Sequence, residues 1–440
     1  MPVIWPPANS ASAKGSWFRV QVHPKEKRNL NLELGTGKLE PGTDTAGALV
    51  ELLFWISVTL LVYTYVGYPL LIAVRAAFAR RPIECRRIEP TVSLIVAAYN
   101  EADRIEQKLA NLLALDYPAS RLEIIVGSDG STDDTVARIR GVADARVSVV
   151  AFGTRRGKAS VLNDLVARAH GEIIVLADAR QSFAPASLRA LVQPFADPTV
   201  GAVSGELMLT VDGAHTAVAV GSGCYWRCEK FIRRAESRVD STVGATGAIY
   251  AIRRLLFEPI LPDTILDDVL IPLRIMRRGC RVVFEPRAQA FGSAPASTTE
   301  EFTRKVRTIA GNFQLFARER WLLDPRRNRL WFQTVSHKGL RLLLPPLHAA
   351  ALLTNVALAV EATLYWVLLT AQLLFYTAAL SGYVLRHTRL KARALALPYT
   401  VCVLVWATVV GFVRYVGGRQ TVIWERAAAG GDALPERKAA

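Results

Sequence analysis

Cysteine is scarce and unpatterned. The chain has five in 440 residues, Cys85, Cys224, Cys228, Cys280 and Cys402, with neither paired metal-ligand spacing nor an even disulfide framework. That argues against a disulfide-stapled secreted domain and against a zinc ribbon, and leaves the thiols as small core or interface residues in a reducing compartment. No stretch lays a basic stripe through interleaved aromatics, so the formal net charge of +16 is not read as a nucleic-acid footprint. No signal-peptide pattern opens the chain. Residues 1–44 are polar, mildly basic and contain Pro and Gly, and read as a loosely ordered tail with no assigned function.

Apolar residues, by contrast, are abundant. Hydrophobic residues make up 51% of the chain and mean hydropathy is +0.23. The excess collects in two blocks, near residues 47–78 and 339–416. The run from Ala46 to Phe78 is long enough to cross a bilayer at about 1.5 Å per residue. Tyr63, Tyr65 and Tyr68 suit an interfacial belt. Arg75, Arg80, Arg81, Arg86 and Arg87 place the domain on their C-terminal side in the cytosol by the positive-inside rule. The second block divides into candidate spans Gly339–Val360, Ala362–Leu385 and Ala394–Val413. Pro345 and Pro346 suggest an interfacial start to the first. The basic loop RHTRLKAR (Arg386–Arg393) should be cytosolic. Three full spans would then leave Arg414, Arg419 and Arg426 on the opposite side, a conflict with the same rule. The expected division is a tail over 1–44, a span over 45–80, a cytosolic domain over 88–325, about three transmembrane or interfacial helices over 326–416, and a tail over 417–440.

Residues 90–290 alternate β-branched runs with helical spacing. Candidate strands are Val92–Ala97, Glu123–Val126, Val147–Phe152, Glu172–Leu176 and Gly201–Met208; candidate helices include Asp133–Arg140 and Lys158–Ala169. This alternation predicts an α/β fold with a mostly parallel sheet, helices on both faces and right-handed crossovers. Ligands in such sheets sit beyond the carboxyl ends of the strands. Three of these strands end in polar turns that carry carboxylates: Tyr99-Asn100-Glu101, Ser128-Asp129-Gly130-Ser131, and Asp178-Ala179-Arg180. A single acid there is commonly a helix cap; three such ends on one edge point to a site.

The ordered motifs AAYNEADRI, GSDGSTDDT, RRGKASVLN, GEIIVLADAR, VGATGAIYAIRR, ILDDVLIPLRI and RKVRTIAGN resemble the family 2 glycosyltransferases of the GT-A fold. The resemblance runs over roughly Thr91–Phe316, and is greatest to the membrane branch of cellulose-synthase-like and poly-N-acetylglucosamine-synthase-like enzymes. It implies that Asn100 and Glu101 form a donor-binding turn, with Glu101 toward the ribose. Asp129 would read the uracil ring; the family often has a second acid there, where this chain has Ser128. Gly157 and Lys158 would meet the diphosphate, with Arg155 and Arg156 beside them and Asn163 in support. Asp178 matches the first acid of the D-x-D motif that holds ribose and metal, but Arg180 replaces the second. Two readings stay open: Asp178 alone holds Mg²⁺ or Mn²⁺ together with donor phosphates, or Arg180 neutralises the diphosphate itself. Asp267 and Asp268 match the acidic pair that ends in the general base, Asp268. Taken alone, the same pair would suit a helix N-terminus.

Gly244, Thr246 and Gly247 match the acceptor-side loop, where small residues let a sugar approach the backbone. Arg304, Arg307 and Thr308 stand where processive members carry Q-x-x-R-W. Only the Arg, Arg307, is kept, and it would help hold the diphosphate. The helical stretch Cys224–Val239 reads either as an in-plane interfacial helix or as a helix packed on the sheet. The implied function is inverting transfer of a sugar from a nucleotide-sugar, UDP-GlcNAc or UDP-glucose, to a polysaccharide or lipid-linked acceptor by a multi-pass enzyme of the inner membrane. Its other partners would be the lipid bilayer and accessory polysaccharide-export subunits. The alternative is a non-catalytic partner in a polysaccharide synthase complex.

Overall fold

The computed structural model describes residues 43–210, 217–293, 297–385 and 393–421. The expected tails lie almost wholly outside these residues, as does nearly all of the basic loop 386–393. The chain divides into two compact units, Met1–Gly47 and Ala48–Ala440, and the whole sheet belongs to the second.

Eight strands form one sheet: β1 (Val92–Ala98), β2 (Leu122–Asp129), β3 (Val147–Phe152), β4 (Ile173–Asp178), β5 (Ser182–Phe183), β6 (Val200–Thr210), β7 (Ile249–Arg253) and β8 (Arg281–Ser293), in the order β3-β2-β1-β4-β7-β6-β8-β5. The first four are parallel. Beyond them the sheet is mixed: β7 runs antiparallel to β4 and β6, β6 is parallel to β8, and β5 is antiparallel to β8. The expected strands correspond to β1–β4 and β6: β3 has the expected bounds, β1, β2 and β6 reach one to three residues further, and β4 starts one residue later and ends two residues later. β5, β7 and β8 are additions that the strand–helix alternation did not signal.

β1 shows why the sheet is covered on both sides. All seven of its residues are buried, and side chains alternate between faces along a strand. Leu94 and Val96 join Ile105, Leu109 and Leu112 of the helix Ala102–Leu113 on one face. Ile95 and Ala97 join Val161, Leu162 and Leu165 of the helix Lys158–Arg168 on the other. Each fully buried Leu, Ile or Val stabilises by about 1.5–3 kcal/mol, so this two-sided core fixes the strand register and with it the strand ends.

Among the described residues, three helices are long and apolar enough to cross a membrane: Thr45–Phe78, Thr363–Val384 and Ala394–Val416. Their most apolar windows are only 11–22% buried, so their apolar side chains face outward rather than into a core. The expected first span of the second block is a bent pair instead, Trp331–Leu342 and Leu344–Leu358, at 63°. The break falls directly before Pro345 and Pro346.

The end of the first apolar helix is fastened to the sheet domain. Tyr68, Ile72 and Ala76 pack against Ile232, Ala235 and Val239 of the helix Ala217–Val239, which also packs on β8 and on the helix Arg393–Val416. It touches both the sheet, at β8, and the apolar helices Tyr68–Phe78 and Arg393–Val416, contacts that suit either reading of this stretch. Cys85 and Cys228 are exposed and Cys280 and Cys402 half-buried. The first two are therefore not core residues. The side chain of Cys224 lies outside the described residues.

A buried polar knot locks the same junction. His337 Nδ1 lies 2.8 Å from Glu236 and its Nε2 3.1 Å from Glu229, while Tyr68 donates to Glu236 at 2.5 Å. Arg341 donates to Glu229 at 3.0 Å, and Arg233 does so at 3.2 Å. Burial alone would raise the Glu229 pKa, but His337, Lys338 and Arg341 together hold it well below the usual range. Replacing His337 by Leu strips both carboxylates of a partner in a site where His337, Glu229 and Glu236 are at most 4% exposed. The expected loss is about 3–5 kcal/mol, read as a lower thermal midpoint in detergent.

Candidate active site

Register places the acidic turns on one edge. Ala98 pairs with Ser128 and Ala97 with Asp178, so Asp129 and Asp178 flank the end of β1. Ile249 pairs with Ala177, which brings Gly247 and the loop before β7 to the same edge.

Asn100 sits in the left-handed region at φ 51°, a conformation that Asn tolerates better than most residues. From there its side-chain oxygen accepts from the Thr132 N–H at 2.8 Å, which ties the turns after β1 and β2 together. Asp129 is buried and accepts from the N–H groups of Arg156 at 2.6 Å and Gly157 at 2.9 Å. It thus fixes the loop that opens the helix Lys158–Arg168. A Cβ on Gly130, at φ +66°, would lie 2.6 Å from Arg155 N. Gly130→Ala is therefore expected to cost about 1–3 kcal/mol of backbone strain and to displace the loop, seen as a lower melting temperature and weaker donor binding. The Arg155 guanidinium lies 3.6 Å from the Tyr99 ring centroid, and the two make a flat, cationic surface beside this loop.

Gly157, at φ 87°, caps that helix, and Lys158 follows it into the centre of the site. Its ammonium donates to Asp178 at 3.0 Å and lies 3.2 Å from Asp267. Burial disfavours the charged amine, but Asp178, Asp267 and Asp268 outweigh that and raise its pKa. Asp267 and Asp268 open the helix Asp267–Arg277. Asp268 accepts from the Gly247 N–H at 2.9 Å. Burial, then the neighbouring Asp267 charge, push its pKa up to about 6. A Cβ on Gly247 would sit 3.3 Å from an Asp268 oxygen and 3.6 Å from an Asp178 oxygen, so these two carboxylates converge on one glycine. Gly244, at φ +93°, backs onto Val269, and Thr246 N–H donates to Ser204 Oγ at 3.1 Å.

Two predicted donor residues find each other: Arg180 Nε donates to Glu101 at 3.1 Å, so in this state the guanidinium is turned toward Glu101. Asn163 bonds both backbone groups of Ile260, at 2.8 and 3.0 Å, a packing role. Arg304 pairs with Glu300. Arg307 lies one turn before Gly311, whose Cβ position faces Leu266 and Ile265. The Arg307 Nε is buried and has no hydrogen-bond partner among the described residues.

Sequence reasoning missed two groups. Tyr250, fully buried in β7, has its pKa raised by burial and by the Asp267 charge; inside an apolar strand run it carries no sequence signal. Lys108 is 4% exposed, donates to the Gln181 carbonyl just past the Asp178 turn, and is pushed by burial to about 7. Its place on the apolar stripe of its helix, with Ile105, Leu109 and Leu112, was the signal that could have marked it as buried.

A partly exposed carboxylate beside two more acids and one ammonium suits a cation drawing its other ligands from a phosphate. Among the described residues no group of three or more His, Cys, Asp or Glu is arranged to hold an ion without such help.

The sequence pattern described as "Glycosyl transferase family 2" matches residues 93–259, which carry the strand-end turns of this edge but not Asp267 and Asp268. The chain carries a family 2 glycosyltransferase domain. Its relatives include a poly-beta-1,6-N-acetyl-D-glucosamine synthase of Staphylococcus aureus, 26% identical over 239 residues, 52% of this chain and 56% of that protein. One of the same name from Staphylococcus epidermidis is 25% identical over 297 residues, 65% of this chain and 67% of that protein. The match thus spans little more than half the length of the S. aureus protein. Among solved structures, the family 2 domain and its helices resemble a mannosyltransferase from Pyrobaculum calidifontis in complex with GDP-Man and Mn2+, at TM-score 0.65 and 25% identity, covering 83% of this chain and 99% of that one. The GT-A fold expected from the motifs is the fold found.

Proposed function

We propose that this chain is an inverting glycosyltransferase that moves a sugar from a nucleotide-sugar to a saccharide or lipid-linked acceptor at a membrane. The observation that carries the reading is the convergence of Asp178 and Asp268 on Gly247, with Lys158 between Asp178 and Asp267. Asp268 takes the proton of the acceptor hydroxyl as that oxygen attacks the anomeric carbon. The bond to the donor diphosphate breaks and the nucleotide leaves. A base with pKa about 6 is largely ionised at neutral pH yet still basic enough to act.

Lys158 meets the charge that develops on the diphosphate, and the unpartnered Nε of Arg307 suits the same anion. Tyr99 and Arg155 offer the nucleobase a face to stack on, while Asp129 holds the loop in place. Asp178 would hold a divalent ion, which supplies charge stabilisation to the leaving diphosphate. The Mn2+ of the mannosyltransferase complex supports this.

The relatives' names, synthases of poly-beta-1,6-N-acetyl-D-glucosamine, support polysaccharide synthesis from an N-acetylglucosamine donor. In a multi-pass inner-membrane arrangement the domain faces the cytosol. If the bent pair returns to the side it entered, Arg414 and Arg419 lie on the domain's side, which removes their conflict with the positive-inside rule. The test is a panel of nucleotide-sugars offered to membranes containing the protein, with free nucleotide as readout. One donor class should be turned over; release from none would refute the proposal.

A further inference from the structure

Lys108 is a charged side chain at a position where its helix is otherwise apolar. It shares the buried stripe of Ala102–Leu113 with Ile105, Leu109 and Leu112 and is itself buried. Burial disfavours its charged form and the Asp178 charge favours it, but no carboxylate among the described residues forms an ion pair with it. An ammonium placed in a core with so little compensation weakens a fold. A methionine of similar length would fill the same space without that penalty. Packing therefore does not account for a lysine here, and its contacts point to another reason.

Those contacts are with the turn that follows Asp178. The ammonium donates to the Gln181 carbonyl and lies 4.2 Å from the centroid of the Phe183 ring. Further along the same helix, the Asn111 side chain accepts from the Phe183 N–H at 2.7 Å and donates to the Phe183 carbonyl at 2.9 Å. At the start of that helix, Glu101 accepts from Arg180. One helix thus holds residues 180, 181 and 183, and it begins at the Asn100-Glu101 turn. On the other side Phe183 pairs with Ala290 of β8. The bonds at 181 and 183 are to backbone groups, so they fix the path of the chain wherever the Arg180 side chain points. Within this set Lys108 makes the bond nearest in sequence to Asp178 that is anchored on the main chain.

We propose that Lys108 is a positioning residue for donor binding: its hydrogen bond to Gln181 holds the Asp178 turn in place for the donor diphosphate, without touching the donor itself. The proposal rests on the transferase reading above. Wild-type protein, Lys108→Met and Lys108→Gln would be compared in detergent by thermal unfolding, by calorimetric titration with UDP and with GDP, and by donor turnover. Lys108→Met should melt no lower than wild type, because removal of a buried charge offsets the carbonyl left unpaired. It should bind the nucleotide diphosphate about tenfold more weakly, the effect of losing one hydrogen bond from a charged group. The donor KM should rise by the same factor with kcat nearly unchanged, the mark of lost ground-state binding. Lys108→Gln can still donate to the Gln181 carbonyl and should recover most of the affinity. Unchanged nucleotide affinity in Lys108→Met would overturn the proposal. So would a lower melting temperature with kcat and affinity falling together, since that marks a structural role, and so would a Lys108→Gln that binds no better than Lys108→Met. Wild-type protein that binds neither nucleotide and turns over no donor would instead refute the transferase reading itself, and this proposal with it.

Discussion

Asp268→Asn is expected to lower sugar transfer by roughly 10²–10⁴-fold, the range that general-base catalysis supplies, while donor binding survives. The amide oxygen can still accept from the Gly247 N–H, so the loop stays in place, but the group can no longer take a proton. The acid's pKa in the fold, about 6, lies above its ordinary 3.8. Its charge therefore opposes folding at neutral pH, and stability is gained as pH falls through about 6. Asn removes that charge, so the variant should melt no lower than wild type at pH 7. Wild-type activity should rise with pH through about 6 as the base ionises, and Asp268→Asn should lose that limb. Labelled-sugar transfer, donor titration and thermal unfolding of both proteins check the prediction. A variant that keeps wild-type turnover would remove Asp268 from its role.

Lys158→Met should have the next largest effect, and on different observables. It leaves Asp178 and Asp267 without the ammonium that lies 3.0 and 3.2 Å away. Breaking the buried pair with Asp267 from one side costs about 3–5 kcal/mol, so the melting temperature should fall, unlike that of Asp268→Asn. Lys158 also lowers the Asp268 pKa. Without it that pKa rises, and the activity limb should move to higher pH. Loss of a cation facing the diphosphate should raise the donor KM as well. Lys158→Arg keeps the charge and should lose less on every count. A variant with unchanged stability and pH profile would show that the lysine does not organise the acids.

The parallel half of the sheet was legible because buried parallel strands read as continuous apolar runs, and VSLIVAA in β1 is such a run. The acidic turns were legible because the strand-end rule gives them an address. β7 and β8 were not: β7 is a five-residue strand antiparallel to both neighbours, and the run of β8 is broken in sequence by Glu285, Pro286 and Arg287. Arg180 could be recognised as a departure from the D-x-D pattern, but its partner could not: Glu101 lies 79 positions away in sequence. Asp129 could be placed at the site, yet its two backbone donors come from a loop whose path is set by Gly130 and Gly157. The apolar blocks announced themselves by length. The bend before Pro345 appeared in sequence only as a doubtful helix start.

Single displacement driven by one base leaves a stereochemical record. The anomeric configuration of the newly transferred sugar, read from its proton coupling constant in the purified product and set against that of the donor, should be opposite. A product that keeps the donor's configuration would contradict attack at the anomeric carbon by a hydroxyl that Asp268 deprotonates.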